Sequence, residues 1–175
     1  MIDPRARAAA ILVAVDLTAE MMAPCRPEEL FEWVDDLARY PAWLNIVQRA
    51  EPVPGDAVDL GDGPAWAVEL RGRLGPFARS KALRMVRSRL STRDEAVFRR
   101  QETDGRKHAP WMLRARVTAD EVTVAGDGPA APSSTLSMHL HYGGGLWGPM
   151  LERMLADEID DSRERLRALV TSPRP

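Results

Sequence analysis

The stretch "VDLTAEMMAPCRPEELFEWVDDLARYPAWLNIVQRAEPV" (residues 15–53) changes its hydrophobic period within 40 residues. Residues 11–22 alternate apolar and polar side chains, and this period of two predicts a half-buried β-strand. From Pro27 onward the apolar residues recur at helical spacing, and the two glutamates after Pro27 suit the first turn of a helix. Pro41 then stops or redirects that helix, because its ring cannot continue the backbone hydrogen bonds.

Six further strand-like segments and one long helix follow this stretch. The segments lie at hairpin spacing with turn residues between them, which predicts an antiparallel meander. They are 45–53, 65–73, 78–91, 96–102, 110–118 and 134–142. The mixed pattern of 78–91 predicts a bulge there or an error in the assigned register. After the glycines at 143–145 a helical period runs to about residue 170. The order predicts an α+β fold: one curved antiparallel sheet of six to seven strands, two short helices after the first strand, and a long C-terminal helix packed on the sheet.

Length and composition predict a single globular domain. The chain has 175 residues, of which 45% are hydrophobic and 29% charged, and we assign residues 11–171 to the domain, 1–10 to an N-terminal segment and 172–175 to a tail. The apolar run at 8–15 is followed by no cleavage site and reads as the entrance to a strand. A single cysteine, Cys25, and the absence of any apolar run of ~20 residues predict a cytoplasmic protein without a transmembrane segment.

Charge is distributed unevenly along the chain. The net charge is −2, yet residues 71–116 hold fourteen Lys/Arg and four acidic residues, so this segment is +10 and the remainder −12. We expect most of these basic side chains on the outer face of the sheet. They form either a solvated surface or a docking surface for an acidic protein, such as an acyl carrier protein, or an anionic membrane. Nucleic acid is not predicted as a partner, because the aromatic residues are assigned to the opposite face.

The N-terminal motifs resemble those of a known family. Ala23-Pro24 after the first strand, then Asp36, then Tyr40-Pro41-Ala42-Trp43, are similar to the opening of the START-like helix-grip superfamily (SRPBCC), which includes polyketide cyclases, birch-pollen-allergen-like proteins and lipid carriers. The resemblance implies a curved sheet that grips the C-terminal helix, with an apolar cavity between them. It also implies that Tyr40 and Trp43 cap the cavity mouth, where we expect Trp43 to be mostly buried and Tyr40 partly exposed.

The C-terminal helix and the last strand supply the polar candidates. On the helix, Glu158 and Ser162 share the apolar face with Leu155, next to Ile159. Either Glu158 and Ser162 contact the polar end of a ligand, or Glu158 has a raised pKa and moves protons. Alternatively, Ser162 is merely small, and Glu158 reaches solvent at the helix edge or pairs with an arginine. Tyr142, on the apolar face of the last strand, is the second candidate acid or base.

The predicted ligand site combines these polar residues with aromatic and aliphatic side chains. Arg84, in the mixed strand, is included because it could enter the cavity and meet a carbonyl or carboxylate group. The candidate ligand-binding residues are Trp43, Trp66, Arg84, Trp111, Leu113, Met138, Leu140, Tyr142, Leu155, Glu158, Ile159 and Ser162. No cofactor is predicted. His139 and His141 share a face but lack a third ligand and are expected to face solvent, so no metal site is predicted.

Three functions remain open from the sequence. The first is the binding of a small hydrophobic ligand, such as a lipid, a polyketide or an aromatic compound, in the cavity. The second is a polyketide aromatase/cyclase or dehydratase acting on a carrier-bound poly-ketone, with Glu158 or Tyr142 assisting enolisation and loss of water. The third is a partner-binding module that uses the basic outer face of the sheet.

Overall fold

The computed structural model describes residues 14–53, 63–74, 77–102, 105–120, 132–143 and 148–172. Its elements are β1 (Val15–Ala23), α1 (Pro27–Phe31), a 3-10 helix (Leu37–Ala42), β2 (Val47–Val53), β3 (Ala65–Leu74), β4 (Phe77–Arg87), β5 (Glu95–Arg100), β6 (Trp111–Ala119), β7 (Ser134–Tyr142) and α2 (Gly148–Thr171). The predicted α+β class is confirmed. No helix within these ranges is long and apolar enough to cross a membrane. The predicted N-terminal segment, 1–10, lies outside the described residues, and the division into segment, domain and tail stays a prediction.

One antiparallel sheet contains all seven of these strands. Their order is β1-β7-β6-β5-β4-β3-β2, so β1 and β2 form the two edges and the first strand pairs with the last. We call the face beneath α2 the inner face and the opposite one the outer face. Side chains point alternately to the two faces along each strand. Ala19, Met138 and Ala115 are neighbours across three strands, and all three point to the inner face. The sheet therefore has one apolar face, which α2 covers.

Strand β4 corrects one prediction. Its pairing with β3 continues without a register shift from Ala65↔Val86 to Leu74↔Phe77. Of the two alternatives predicted for 78–91, the bulge is therefore wrong. A register shift occurs instead in β2, between Val47 and Arg49.

The mixed pattern of β4 has a different cause from a bulge. Val86 is apolar but lies on the outer face, where it packs with Ala65 and Val53 in a small separate cluster. Lys81 and Arg87 are charged but follow the inward alternation of the strand. Each face of β4 therefore carries residues that the sequence pattern assigns to the other face.

The two short helices after β1 are confirmed, but Pro41 plays a different part from the one predicted. The α-helix already ends at Phe31, and Pro41 lies inside the 3-10 helix that follows. Asp36 begins this second helix, because its Oδ1 accepts hydrogen bonds from the Ala38 amide and from the Trp66 indole, both at 2.9 Å. One carboxylate thus caps the 3-10 helix and ties it to β3.

Position 143 requires a glycine, because two segments of the chain approach each other closely there. The Gly143 amide donates to the Pro110 carbonyl at 3.0 Å, and a Cβ at this position would lie 2.5 Å from Pro110 Cγ. Of the three glycines at 143–145, Gly144 and Gly145 lie outside the described residues. Gly143 shows no positive φ, so its role is to let the end of β7 lie against the start of β6.

Candidate functional site: an apolar cavity beneath the C-terminal helix

A cavity of about 150 Å³ lies between the inner face of the sheet and α2. The sheet supplies its floor from β1, β2, β3, β4, β6 and β7, α2 supplies its roof, and the 3-10 helix with the residues after it supplies one wall. Among the predicted site residues, Trp43, Trp111, Leu113, Met138, Leu140, Leu155, Ile159 and Ser162 line this cavity. The predicted location between sheet and helix therefore matches the cavity.

Four predicted site residues do not line the cavity, and one of them, Glu158, is described below. Trp66 is buried behind the cavity, where its indole N–H bonds to Asp36 and its ring meets Phe98 edge-on at 5.5 Å. Tyr142 is buried beside it, with its ring 5.0 Å from that of Trp111. Arg84 points to the outer face, and its Nε donates to Gln101 Oε1 at 2.7 Å, so the prediction that it enters the cavity is wrong.

Several lining residues were missed by the sequence reasoning. From β1 these are Leu17, Ala19 and Met21, and from β4 they are Leu83 and Met85. The alternation of β1 was visible in the sequence and could have identified its three residues. The two residues of β4 were obscured by the charged and apolar residues that occupy unusual faces of that strand.

Tyr40 is more deeply buried than predicted. It is 0% exposed and Trp43 is 3% exposed, so the prediction for Trp43 is confirmed and that for Tyr40 is wrong. The Tyr40 hydroxyl donates to the Val34 carbonyl at 2.9 Å, and its ring packs 4.8 Å from that of Trp43. Burial, together with the nearby Asp35 carboxylate, raises the pKa of Tyr40 far above its usual value. Both rings therefore belong to the inner wall of the cavity.

Substitution of Tyr40 by phenylalanine tests this buried hydrogen bond. We expect Tyr40→Phe to lower the free energy of unfolding by about 1–2 kcal/mol at neutral pH, because the buried Val34 carbonyl loses its donor. Above a pH of about 10 the unfolded wild type releases the tyrosine proton while the folded protein retains it, so the wild type loses stability as the pH rises. The difference between the two proteins should therefore shrink in urea titrations at alkaline pH. A difference that stays constant would contradict the raised pKa.

Glu158 lies at the seam between α2 and the segment that follows the 3-10 helix. Its Oε1 accepts hydrogen bonds from the Asn45 amide at 2.9 Å, the Ser162 hydroxyl at 3.3 Å and Arg165 Nη1 at 3.4 Å. Glu158 is not among the residues that line the cavity, although Leu44 and Ile46, on either side of Asn45, are. This geometry fits the interpretation in which Glu158 pairs with an arginine at the edge of the helix.

Removing this carboxylate tests the seam. We expect Glu158→Ala to destabilise the fold by about 1–2 kcal/mol, because three donors lose one shared acceptor. The local effect should be larger than the global one, so amide hydrogen exchange at Asn45 should become faster. Glu164→Ala, an exposed glutamate on the same helix, is the matched control and should leave Asn45 unchanged. Equal exchange rates in both variants would show that Glu158 does not hold the seam.

Few polar groups surround the cavity, and most of them are already hydrogen-bonded to other side chains. The Ser162 hydroxyl donates to Glu158, and Arg163 Nη1 is bonded to Asp160 at 2.9 Å. Arg163 Nε is buried without a hydrogen-bond partner at the edge of the cavity. The cavity is thus built mainly to receive an apolar group, and the acidic residue along the part of its wall that the structure describes is the exposed Glu20 of β1.

The two histidines of β7 lie on the outer face with Asp16. His141 Nδ1 is 2.9 Å and His139 Nε2 3.3 Å from Asp16 Oδ1, and the hydrogen bond with His141 is the main cause that lowers the pKa of Asp16. Both imidazoles are about one-third exposed, as predicted from the alternation of the strand. Within the described ranges, no group of three His, Cys, Asp or Glu residues is placed to hold a metal ion.

Basic side chains occupy both faces of the sheet. Arg114 and Arg116 lie on the outer face, where both pair with Glu95 at 3.9 and 3.2 Å. On the inner face, Lys81, Arg87 and Arg100 were not predicted. Arg87 is tied to Asp35 at 3.4 Å, and Arg100 to Glu102 at 3.0 Å. The basic segment therefore contributes positive charge to the cavity side as well as to the outer surface.

Comparison with known proteins agrees with this architecture. A family model described as "Polyketide cyclase / dehydrase and lipid transport" matches residues 14–171. A START superfamily protein from Mycobacterium smegmatis is similar in structure, with a TM-score of 0.61 and 14% identity over 89% of this chain and 96% of that one. The di-domain ARO/CYC StfQ from the steffimycin biosynthetic pathway gives a TM-score of 0.58 and 12% identity over 90% of this chain, which spans 51% of that protein. No curated protein sequence matches the chain.

Proposed function

The chain belongs to the polyketide cyclase/dehydrase and lipid transport family, and from this premise we propose that it binds a small hydrophobic ligand in the cavity beneath α2. The observation that carries the proposal is the cavity itself, whose described wall consists mainly of aliphatic and aromatic side chains. A buried thiol at Cys25, with no second cysteine in the chain, fits a function in the cytoplasm.

The size of the cavity limits the ligand. An apolar cavity of about this volume holds a single benzene-sized ring, and burial of apolar surface contributes about 25 cal/mol per Å². A ring or a short acyl chain therefore fits this volume. The cavity is open on part of its surface, so the rest of a larger ligand extends towards solvent.

Binding is tested with a neutral probe and with the protein as purified. N-phenyl-1-naphthylamine, whose fluorescence increases in apolar surroundings, should bind saturably with one site per chain. Native mass spectrometry of gently purified protein should show a co-purified small molecule that is lost on denaturation. Absence of saturable probe binding, together with a mass equal to that of the bare chain, would refute the proposal.

The second candidate is an aromatase/cyclase or dehydratase acting on a carrier-bound poly-ketone. Two observations favour it: the family that the chain belongs to, and the arginines on the outer face, which suit an acidic carrier protein. Against it, Glu158 is engaged by three donors and lies outside the cavity lining. Co-expression with a minimal polyketide synthase distinguishes the two: a cyclase changes the product spectrum, whereas a binding protein leaves it unchanged. Carrier-protein binding by the outer face should also weaken steeply as the salt concentration rises.

A further inference from the structure

Lys81 occupies an unusual place for a lysine, on the inner face of the sheet. Leu83 and Met85, two and four residues further along β4, both line the cavity, and the alternation of the strand places Lys81 on their side. The residue paired with Lys81 on the neighbouring strand β3 is Leu70, which also lines the cavity. Lys81 is therefore adjacent to the cavity and only partly exposed.

Two aromatic rings hold the Lys81 ammonium group at this position. Its Nζ lies 5.4 Å from the ring centroid of Trp111 and 5.1 Å from that of Tyr142. Such contacts between a cation and aromatic faces are attractive and orient the charge. Because Trp111 also lines the cavity, the charge is held beside the cavity wall.

Lys81 has no ion-pair partner within the ranges that the structure describes. Glu102, the acidic residue whose charge acts on Lys81, is bonded to Arg100 at 3.0 Å and lies 3.5 Å from His108 Nε2. Burial, and then repulsion from Arg100, lower the pKa of Lys81, while Glu102 acts in the opposite direction. A partly buried ammonium without a close anion is costly, and a ligand anion at this point would reduce that cost.

We propose that Lys81 binds the carboxylate of a ligand whose apolar part fills the cavity, an inference that rests on the proposed function. The ligand is then a small amphipathic acid, with a ring or acyl chain against Met138 and Leu113 and its carboxylate against Lys81. A monoanionic group fits better than a phosphate, because Arg100 is already neutralised by Glu102 and one lysine offers one compensating charge.

Three probes that differ only in their head group test this assignment. Octanoate, 1-octanol and octylamine are titrated against the protein loaded with N-phenyl-1-naphthylamine, and displacement of the dye is measured. We expect octanoate to bind about tenfold more tightly than 1-octanol, and octylamine to bind more weakly than either. Lys81→Met should abolish the preference for octanoate without changing the affinity for 1-octanol, whereas Lys81→Arg should retain it.

The chain offers a matched control, because Lys107 is its second and last lysine and is exposed. Lys107→Met should leave all three affinities unchanged. If the dye and 1-octanol bind but octanoate shows no preference, or retains it in Lys81→Met, the assignment of Lys81 is wrong and the proposed function stands. If neither the dye nor any octyl probe binds, the proposed function fails and the inference fails with it.

A second measurement does not depend on the folding of a variant. Reductive methylation with ¹³C-formaldehyde labels both lysines and the α-amino group of the wild type. The two lysine signals are assigned by their loss in Lys107→Met and in Lys81→Arg. Octanoate should shift the Lys81 signal and not that of Lys107, and 1-octanol should produce a smaller shift. Equal shifts of both signals would indicate non-specific binding of the anion and overturn the inference.

Discussion

Replacement of Met138 by tryptophan should abolish binding of the naphthylamine probe while the protein remains folded. Met138 lies in the middle of the cavity floor, and its neighbours across the strands on both sides are alanines, Ala19 and Ala115. A larger side chain at this position therefore enters the cavity rather than a packed core. We expect probe affinity to fall by at least about tenfold at a cost in stability of about 1–3 kcal/mol.

Met112 provides the control for this substitution. It is the same residue type on the adjacent strand β6, but its neighbours Trp111 and Leu113 line the cavity, so Met112 faces the opposite side of the sheet. Met112→Trp should therefore leave probe binding unchanged. If both variants bind the probe as the wild type does, the probe lies outside the cavity.

Replacement of Phe98 by alanine should cause the largest loss of stability. Phe98 is 0% exposed, and its ring meets Trp66 at 5.5 Å and Tyr40 at 6.3 Å in edge-on geometry. The substitution removes both aromatic contacts and leaves a hole behind the cavity wall. We expect the free energy of unfolding to fall by about 3–5 kcal/mol, measured by urea denaturation.

An exposed aliphatic residue sets the baseline for that measurement. Leu90 is 62% exposed in the turn after β4, and Leu90→Ala should change the free energy of unfolding by less than about 0.5 kcal/mol. A similar small change in Phe98→Ala would show that Phe98 is not part of a close-packed core.

The sheet could be predicted closely because it has one buried face. The alternation of apolar and polar residues in 134–142 predicted both ends of β7 correctly. The same alternation in 65–73 predicted the bounds of β3 to within one residue. The C-terminal helix was equally clear, since a helical period continues over 24 residues, Gly148–Thr171. These elements bury enough side chains that their period is determined by the fold and can be recognised in the sequence.

The polar part of the site could not be predicted in the same way. Glu158 follows the apolar stripe of α2, but whether its carboxylate enters the cavity depends on where Asn45 lies, and Asn45 is 113 residues away in the chain. Arg84 and Lys81 illustrate the same limit on β4. Arg84 was the residue of this strand predicted to enter the cavity, but the pairing with β3 turns Arg84 outward and Lys81 inward.

The exposure of Tyr40 was predicted wrongly, because a family motif gives the position of a residue but not its hydrogen-bond partners. A tyrosine next to a proline is typical of an exposed turn, yet the 3-10 helix directs this side chain inward. The Val34 carbonyl, six residues earlier, then satisfies its hydroxyl. Burial of the whole ring becomes favourable only with this local hydrogen bond, which the sequence pattern does not reveal.

Methyl NMR of ¹³C-methionine-labelled protein tests the central claim most directly, because methionines lie on both faces of the sheet. Met21, Met85 and Met138 line the cavity, whereas Met22 is 61% exposed and Met112 faces outward. On addition of 1-octanol, the signals of the first three should shift saturably and show intermolecular NOEs to the probe, while those of Met22 and Met112 stay in place. Shifts confined to Met22 and Met112, or the absence of any saturable shift, would contradict ligand binding beneath the C-terminal helix.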